Sequence, residues 1–163
     1  MKPAANDPAY WLDEHAPRLL AYARQWADSS GAAEDIFQDA FVRFWRKRES
    51  VRNPVTYLYR CVRTTAMNWR RSRDRRRDHE SKTSAAREPD NPHTLAELSE
   101  RQVRIAQTLA ELPVDQREAV VMKIWGEMTF TQIGHVMSIP RSTAHSIYEA
   151  AMTRLSEKLR LEK

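Results

Sequence analysis

Arginine is concentrated in one segment of this chain. Of its 163 residues, those from Val55 to Arg77 include eight arginines and one aspartate, so this segment carries a formal charge of +7. Because the whole chain carries +5, the remainder carries about −2. Guanidinium groups bind phosphate by charge and by paired hydrogen bonds. The charge distribution therefore indicates a localised surface for a polyanion rather than general solubility.

A second pattern with chemical potential is TFTQIGHVMSIPRSTAHSIYEAAMTRL, from Thr129 to Leu155. Thr129 and Gln132 have the spacing of a capping box, and Gly134 allows a second helix to cross closely. Ser138 and Ile139 suit a short turn, after which Pro140 suits the first turn of another helix. The polar residues that this second helix leaves outside its apolar stripe are Arg141, Ser142, His145, Ser146 and Glu149. The pattern predicts a helix-turn-helix that reads base edges, although a helical hairpin with a merely solvated polar face has the same periodicity.

Enzymatic chemistry is not indicated. The five histidines show no metal-ligand spacing, and Cys61 is the only cysteine, so we expect no disulfide and no metal site. Neither a glycine-rich phosphate loop nor a nucleophile elbow is present. No apolar run approaches a membrane span and the N-terminus lacks a signal-peptide pattern. We therefore expect a cytoplasmic protein that is not an enzyme, requires no cofactor and does not insert into membranes.

Helical periodicity runs through the N-terminal half. One broken pattern covers about Pro8 to Ala27, and a second helix is predicted from about Ala32 to Arg48. Its apolar stripe consists of Ala33, Phe37, Ala40, Phe41 and Phe44. After a loop, Pro54 can open a third helix that ends in the arginine run. The apolar positions of this third helix are Val55, Leu58, Val62, Ala66 and Trp69.

The composition of the chain changes after the third predicted helix. From Asp78 to about His93 it is polar and contains two prolines, which predicts a flexible linker. Apolar periodicity returns at Leu95, Leu98, Val103, Ile105, Leu109 and Leu112, and again at Val120, Val121, Ile124 and Trp125. We predict an all-α fold of two small helical domains joined by a flexible linker, the second containing the helix-turn-helix. The predicted boundaries are 1–77, 78–94 and 95–163.

Three segments together resemble the extracytoplasmic-function (ECF) group of the sigma-70 superfamily. AEDIFQDAFVRFWR is similar to that family's polymerase-binding helix, and NPVTYLYRCVRTTAMNWRRSR to its promoter-melting helix. ELPVDQREAVVMKIWGEMTFTQIGHVMSIPRSTAHSIYEAAMTRL resembles its promoter-reading C-terminal domain. The order of the segments matters more than any one of them, because a lone helix-turn-helix match is weak. The resemblance implies a sigma factor that binds core RNA polymerase and directs promoter-specific initiation.

The resemblance implies roles for residues of the first domain. Asp35, Gln38, Asp39 and Phe41 would bind the clamp helices of the polymerase's largest subunit. The residues expected to contact the −10 region of the promoter are Arg60, Arg63, Thr64, Asn68, Arg70 and Arg71. The loop Glu49 to Asn53 would enclose a base flipped from the opened strand. Trp69 fits the buried stripe, and base stacking is the alternative.

The second domain would read the −35 region through Arg141, Ser142, Thr143, His145 and Ser146. It departs from the family pattern, because Ile147, Glu149 and Ala150 stand where basic residues are often found, and Ser138 where glycine is common. Glu149 would repel phosphate unless it accepts a hydrogen bond from a cytosine amino group or faces away. The −35 sequence therefore does not follow from these residues.

The expected partners are core RNA polymerase and promoter DNA, and the free protein is expected to be a monomer. An anti-sigma factor often accompanies this group, although no residue here demonstrates one. The main alternative is an autonomous helix-turn-helix transcription regulator, for which neither a coiled-coil seam nor a sensor domain is evident. An RNA-binding antitermination protein would also account for the basic run.

Overall fold

The computed structural model describes residues 6–80 and 100–161. The chain divides into two compact units, Met1–Arg87 and Glu88–Lys163. The described residues form seven α-helices and one 3-10 turn, without any strand, which confirms the predicted all-α class. None of these helices is both long and apolar enough to cross a membrane.

The first unit contains α1 (Pro8–Ala23), α2 (Ser30–Lys47), a 3-10 turn (Arg48–Ser50) and α3 (Pro54–Glu80). Polar caps set where the helices begin. The side chains of Asp7 and Ser29 accept hydrogen bonds from Ala9 N (3.0 Å) and Ala32 N (3.1 Å). Such caps satisfy backbone donors that the first helical turn leaves unpaired. Pro54 begins α3, as predicted.

Apolar faces of the three helices form the core of the first unit. The fully buried side chains include Leu19 and Tyr22 from α1, Ile36 and Phe44 from α2, and Leu58 and Val62 from α3. Burying a large apolar side chain contributes about 1.5–3 kcal/mol to stability. The predicted stripes of α2 and α3 are mostly inside, but Phe41, Val55 and Trp69 are half-buried. Ile36, which the predicted stripe omits, belongs to the core.

α3 is longer than the sequence pattern predicts. It continues without a break through the arginine run to Glu80, over 27 residues. At about 1.5 Å per residue it is roughly 40 Å long. The prediction that the helix ends in the arginine run is therefore wrong, and residues 78–80, expected to open the linker, are helical. The rest of the expected linker, and Leu95 and Leu98 beyond it, lie outside the described residues.

The second unit contains α4 (Glu100–Ala110), α5 (Val114–Ile124), α6 (Phe130–Met137) and α7 (Arg141–Leu161). Its buried residues include Val120 and Met122 of α5, Ile133 of α6, and Ala151 of α7. Lys158 of α7 forms an ion pair with Glu111, next to the end of α4. These contacts position α6 and α7, the two helices of the predicted helix-turn-helix.

Three apolar residues of the second unit are more exposed than the periodicity suggests. Ile105, Ile124 and Trp125 are 36%, 48% and 42% exposed. α5 ends at Ile124, and Trp125 is its C-terminal cap, so the helical stripe does not extend to this tryptophan. Helical spacing alone therefore does not determine whether these side chains are buried.

Candidate nucleic-acid and protein-binding surfaces

α2 presents a polar face to solvent opposite its aromatic core face. Asp35, Gln38, Asp39, Val42 and Arg46 are all exposed, Val42 by 51%. We call these five residues the α2 outer face. Their spacing of three and four residues places them along one side of the helix. An exposed valine among carboxylates and an amide is suited to a partner that combines apolar and basic groups.

Phe41 does not share the exposure of the α2 outer face. Its ring centroid lies 5.9 Å from that of Phe37, 5.8 Å from that of Phe44 and 5.7 Å from that of Trp45. It is half-buried within an aromatic cluster. Only its outer edge remains for a partner, so its main contacts are inside the domain.

An arginine–tryptophan pair braces the turn after α2. The Arg48 guanidinium lies 3.7 Å from the Trp45 ring centroid, and Nη1 donates to the Trp45 carbonyl oxygen at 2.6 Å. Ser50 Oγ also donates to the Lys47 carbonyl oxygen at 2.9 Å. Sequence reasoning missed this pair; the three-residue spacing of the tryptophan and the arginine is the signal that could have indicated it.

The segment predicted to enclose a flipped base is held at both ends. The predicted loop Glu49 to Asn53 begins inside the 3-10 turn rather than as an irregular loop. At its other end Asn53 Oδ1 accepts from Thr56 N at 3.2 Å, which caps α3. Arg52, between these anchors, is exposed. A short exposed segment between two fixed ends can present side chains without a large loss of entropy on binding.

Polar residues form an exposed stripe along α3. Arg60, Thr64, Asn68 and Arg71 recur at four, four and three residues and all face solvent. They extend over roughly 16 Å of helix axis. Of the other two predicted contacts, Arg70 is exposed and Arg63 is half-buried. The stripe combines guanidinium groups for phosphate with a hydroxyl and an amide for bases.

Arg73 differs from the arginines around it. Its Nη1 lies 3.3 Å from Asp28 Oδ2, in the segment between α1 and α2. Its guanidinium carbon is 5.3 Å from the Trp69 ring centroid, and its side chain is 20% exposed. Arg73 is therefore engaged within the domain, while Arg75 and Arg77 are exposed. The half-buried Trp69 is covered on one side by this arginine.

The helix-turn-helix has the predicted capping box. Thr129 Oγ1 accepts from Gln132 N at 3.2 Å, while Gln132 Oε1 accepts from Thr129 N at 2.9 Å. The predicted inward residues Ile133, Val136 and Met137 are buried. Reciprocal capping and an apolar face together define where α6 begins and how it packs.

A close backbone approach joins α6 to α7. A Cβ atom at Gly134 would lie 2.7 Å from the Ile139 carbonyl oxygen, so this glycine is required by the turn. The carbonyl oxygen of Gly134 accepts from the backbone N–H groups of Ser138 and, at 2.9 Å, Ile139. Ser138 has φ 58° and ψ 44°, a left-handed conformation that favours glycine. α7 begins at Arg141, directly after Pro140, whose carbonyl oxygen accepts from Ala144 N at 3.0 Å.

The predicted reading residues of α7 lie on its exposed face. These are Arg141, Ser142, Thr143, His145 and Ser146. Ser146 Oγ donates to the Ser142 carbonyl oxygen at 3.0 Å, which uses its hydroxyl hydrogen within the helix. The His145 ring meets the Phe130 ring edge-on, with centroids 4.8 Å apart. Sequence reasoning missed this contact because Phe130 belongs to the preceding helix.

The described histidines, cysteine and acidic residues include no group of three placed to hold a metal ion. Burial raises the pKa of the Cys61 thiol, which disfavours the nucleophilic thiolate. Burial also lowers the pKa of His15, whose ring packs 4.9 Å from that of Trp11. Both groups belong to the packing of the first unit, and neither lies in the exposed polar surfaces.

Comparison with known proteins accounts for both units. Residues 11–76 match the family Sigma-70 region 2, and residues 108–157 match Sigma-70, region 4. The chain is 26% identical over 143 residues to the ECF RNA polymerase sigma-E factor of Escherichia coli K12, covering 80% of this chain and 75% of the relative. It is 25% identical over 142 residues to the RNA polymerase sigma-H factor of Pseudomonas aeruginosa, covering 79% and 74%.

A solved structure has the same fold. The sigma factor RpoE from Bartonella quintana, crystallised with the anti-sigma factor NepR, superposes with a TM-score of 0.74 at 23% identity. The superposition covers 93% of this chain and 96% of that one. The two family regions together span well over half of the sequence, in the order in which the helices described above occur. The chain therefore belongs to the sigma-70 family, in its extracytoplasmic-function group.

Proposed function

We propose that this protein binds core RNA polymerase through the α2 outer face and opens and reads promoter DNA through α3 and α7. Its family directs promoter-specific initiation of transcription. The observation that carries the assignment of surfaces is their coexistence in one chain: an exposed acidic and amide face, an arginine-bearing helix and a capped helix-turn-helix. Sigma factors are generally non-enzymatic. This protein would therefore contribute promoter recognition and strand opening, while polymerase carries out the nucleotide chemistry.

The α2 outer face supports docking on a basic surface. The carboxylates of Asp35 and Asp39 are one helical turn apart, with the Gln38 amide and the exposed Val42 beside them. Carboxylates form strong, charge-assisted hydrogen bonds with arginine, and the valine adds apolar contact. The clamp helices of the largest polymerase subunit are the proposed partner. Phe41 contributes only the edge of its ring that the aromatic cluster leaves uncovered.

The exposed stripe of α3 supports contact with the −10 region. Arg60, Arg70 and Arg71 would hold phosphates, which positions the protein without reading sequence. Thr64 and Asn68 carry the short polar groups that can discriminate bases. Arg63, half-buried, would act at the edge of this surface. The braced segment Glu49 to Asn53 would receive a flipped base, at a cost of a few kcal/mol for unstacking.

The exposed face of α7 supports reading of the −35 region. Arg141, Ser142 and Thr143 occupy its first turn, which a helix-turn-helix presents to the major groove. The proposed functional boundaries are 1–77 for the polymerase and −10 domain and 95–163 for the −35 domain, joined by 78–94. α3 continues to Glu80, three residues beyond this proposed boundary of the first domain.

An anti-sigma factor is a further proposed partner, because the solved relative RpoE was crystallised with one. The proposed location is the cytoplasm, where bacterial polymerase and promoter DNA are found, and the proposed free state is a monomer.

Run-off transcription with core polymerase tests the proposal on a pool of promoters from the native genome. The expected result is a set of transcripts that depends on this protein. Joint replacement of Asp35, Gln38 and Asp39 by alanine should abolish them, because the docking groups are removed while the helix is preserved. Asp13→Ala is the control, since it removes an exposed carboxylate from α1 instead.

Failure of core polymerase to bind the protein or gain promoter selectivity would refute the sigma function. Tight binding to duplex DNA without polymerase would then identify an autonomous regulator. Preference for structured RNA would instead indicate an antitermination protein.

A further inference from the structure

A chain of side-chain contacts crosses from α5 through α6 to the exposed face of α7. Lys123 Nζ lies 4.6 Å from the Phe130 ring centroid, and this ring packs edge-on against His145 at 4.8 Å. His145 Nε2 is in turn 3.7 Å from Glu149 Oε1, one helical turn further along α7. The Phe130 ring also packs against Tyr148 at 5.4 Å. His145 is therefore held between the start of α6 and the carboxylate of Glu149.

This arrangement changes which residue of α7 is available to DNA. His145 uses one edge of its ring against Phe130, and its Nε2 faces Glu149. The Glu149 side chain is 61% exposed, on the same outer face as the proposed reading residues. This exposure agrees with the predicted place of Glu149 outside the apolar stripe of α7. Its carboxylate is an exposed hydrogen-bond acceptor in the third turn of the reading helix.

A carboxylate accepts hydrogen bonds but does not donate them. In the major groove, cytosine presents the N4 amino donor, whereas guanine presents two acceptors and thymine an acceptor and a methyl group. Adenine pairs its N6 donor with an adjacent N7 acceptor, which would repel a carboxylate. Phosphate would repel it as well. Cytosine is therefore the base whose edge suits an outward glutamate on this face.

We propose that Glu149 reads a cytosine in the −35 region, and that His145 is a positioning residue that orients its carboxylate. This inference rests on the proposed function of α7. Arg141 and Glu149 are separated by eight residues, or about 12 Å along the helix axis. At 3.4 Å per base step, the cytosine lies roughly three to four base pairs from the position that faces Arg141. It therefore marks one end of the sequence that α7 reads.

The test is transcription by the reconstituted holoenzyme from a promoter library whose −35 region is randomised, followed by sequencing of the transcribed templates. The wild type should favour cytosine at one position. Glu149→Ala should reduce that preference by at least about 5-fold, since a good base contact contributes about 1–3 kcal/mol of discrimination. Glu149→Gln should move the preference to adenine at the same position, because an amide can pair with adenine N6 and N7.

His145→Phe separates positioning from packing. Phenylalanine retains an aromatic edge against Phe130 but has no nitrogen to face Glu149. Cytosine preference should fall in this variant, but by less than in Glu149→Ala, because the carboxylate that accepts from cytosine is retained. Glu157→Gln is the matched control, because it removes an exposed carboxylate further along α7. It should leave the base profile unchanged.

An unchanged base profile in both Glu149 variants, with normal protein-dependent transcription, would overturn the inference and leave the proposed function intact. Glu149 and His145 would then form an ordinary solvated pair. Absence of any protein-dependent transcript from the wild type would refute the proposed function and this inference with it. A gain of activity by Glu149→Ala on every template equally would show that the carboxylate only repels phosphate, which also overturns the cytosine assignment.

Discussion

Replacing Gly134 with alanine tests the packing of the turn that joins α6 to α7. The added Cβ would lie 2.7 Å from the Ile139 carbonyl oxygen, and 3.5 Å from Arg141 N and from the Pro140 carbonyl carbon. All three neighbours are backbone atoms, so no side chain can rotate away. The turn is also tied to Gly134 by the 2.9 Å hydrogen bond from Ile139 N. Relief of the clash therefore requires movement of the chain that leads into α7.

Two opposing effects determine how Gly134→Ala changes the free energy of unfolding. Alanine is favoured over glycine in a helix interior by about 1 kcal/mol. Overpacking costs about 1–3 kcal/mol, and a weakened turn hydrogen bond about 0.5–1.5 kcal/mol more. Because the obstacle is backbone, we expect a total cost of about 3 kcal/mol, the middle of the combined range, and a net destabilisation of about 2 kcal/mol. For a domain of this size, that lowers the melting temperature by roughly 8–16 °C.

Residue-resolved hydrogen exchange on the full chain shows which helices are destabilised. Amides of α6 and α7 should exchange faster in Gly134→Ala, with α1 to α3 unchanged. Gly31→Ala is the control, since a Cβ there meets nothing within 4 Å, and it should be neutral or stabilising by up to about 1 kcal/mol. Equal or greater protection of α6 and α7 in Gly134→Ala than in the wild type would refute the packing argument.

Two further predictions concern the first unit. Arg73→Ala and Asp28→Ala should both loosen the end of α3, by up to about 1 kcal/mol for this partly exposed pair, and both should slow promoter opening in a fluorescence assay. If Arg73 acts only by binding phosphate, Asp28→Ala will instead leave opening unchanged or faster. Burial raises the pKa of Tyr59 to about 12 from 10.0, so between these values the unfolded chain loses its proton first and stability falls as pH rises. The free energy of unfolding, measured with urea at pH 9 and at pH 11, should fall by about 1 kcal/mol less in Tyr59→Phe than in the wild type. Equal falls in the two proteins would contradict the burial of the Tyr59 hydroxyl.

The capping box at Thr129 and the short turn at Ser138 could be predicted from sequence because local hydrogen bonds and backbone preferences determine them. The length of α3 could not be predicted. Its last turns lack apolar periodicity, and the contact between Arg73 and Asp28 that supports them joins residues 45 positions apart. The periodicity of a sequence does not reveal contacts between residues that are far apart along the chain.

The reading helix shows the same limit. Residue types and spacing identified its exposed polar face. The contact of His145 with Phe130 depends on a residue of another helix. The exposure of Ile124 and Trp125 depends on where α5 stops. These features follow from tertiary packing, which single-sequence patterns do not contain.

The arginine-rich end of α3 has a consequence for how the protein responds to ions. Arginines at positions 70, 71, 73, 75, 76 and 77 place like charges three and four residues apart, which disfavours the helix by a few tenths of a kcal/mol per pair. Salt screens this repulsion and stabilises the helix, while it competes with the same arginines for phosphate. The two effects oppose each other. Binding to promoter DNA should therefore weaken with ionic strength less steeply than the number of arginines alone implies. The reason is that the salt that competes for the arginines also stabilises the helix that carries them.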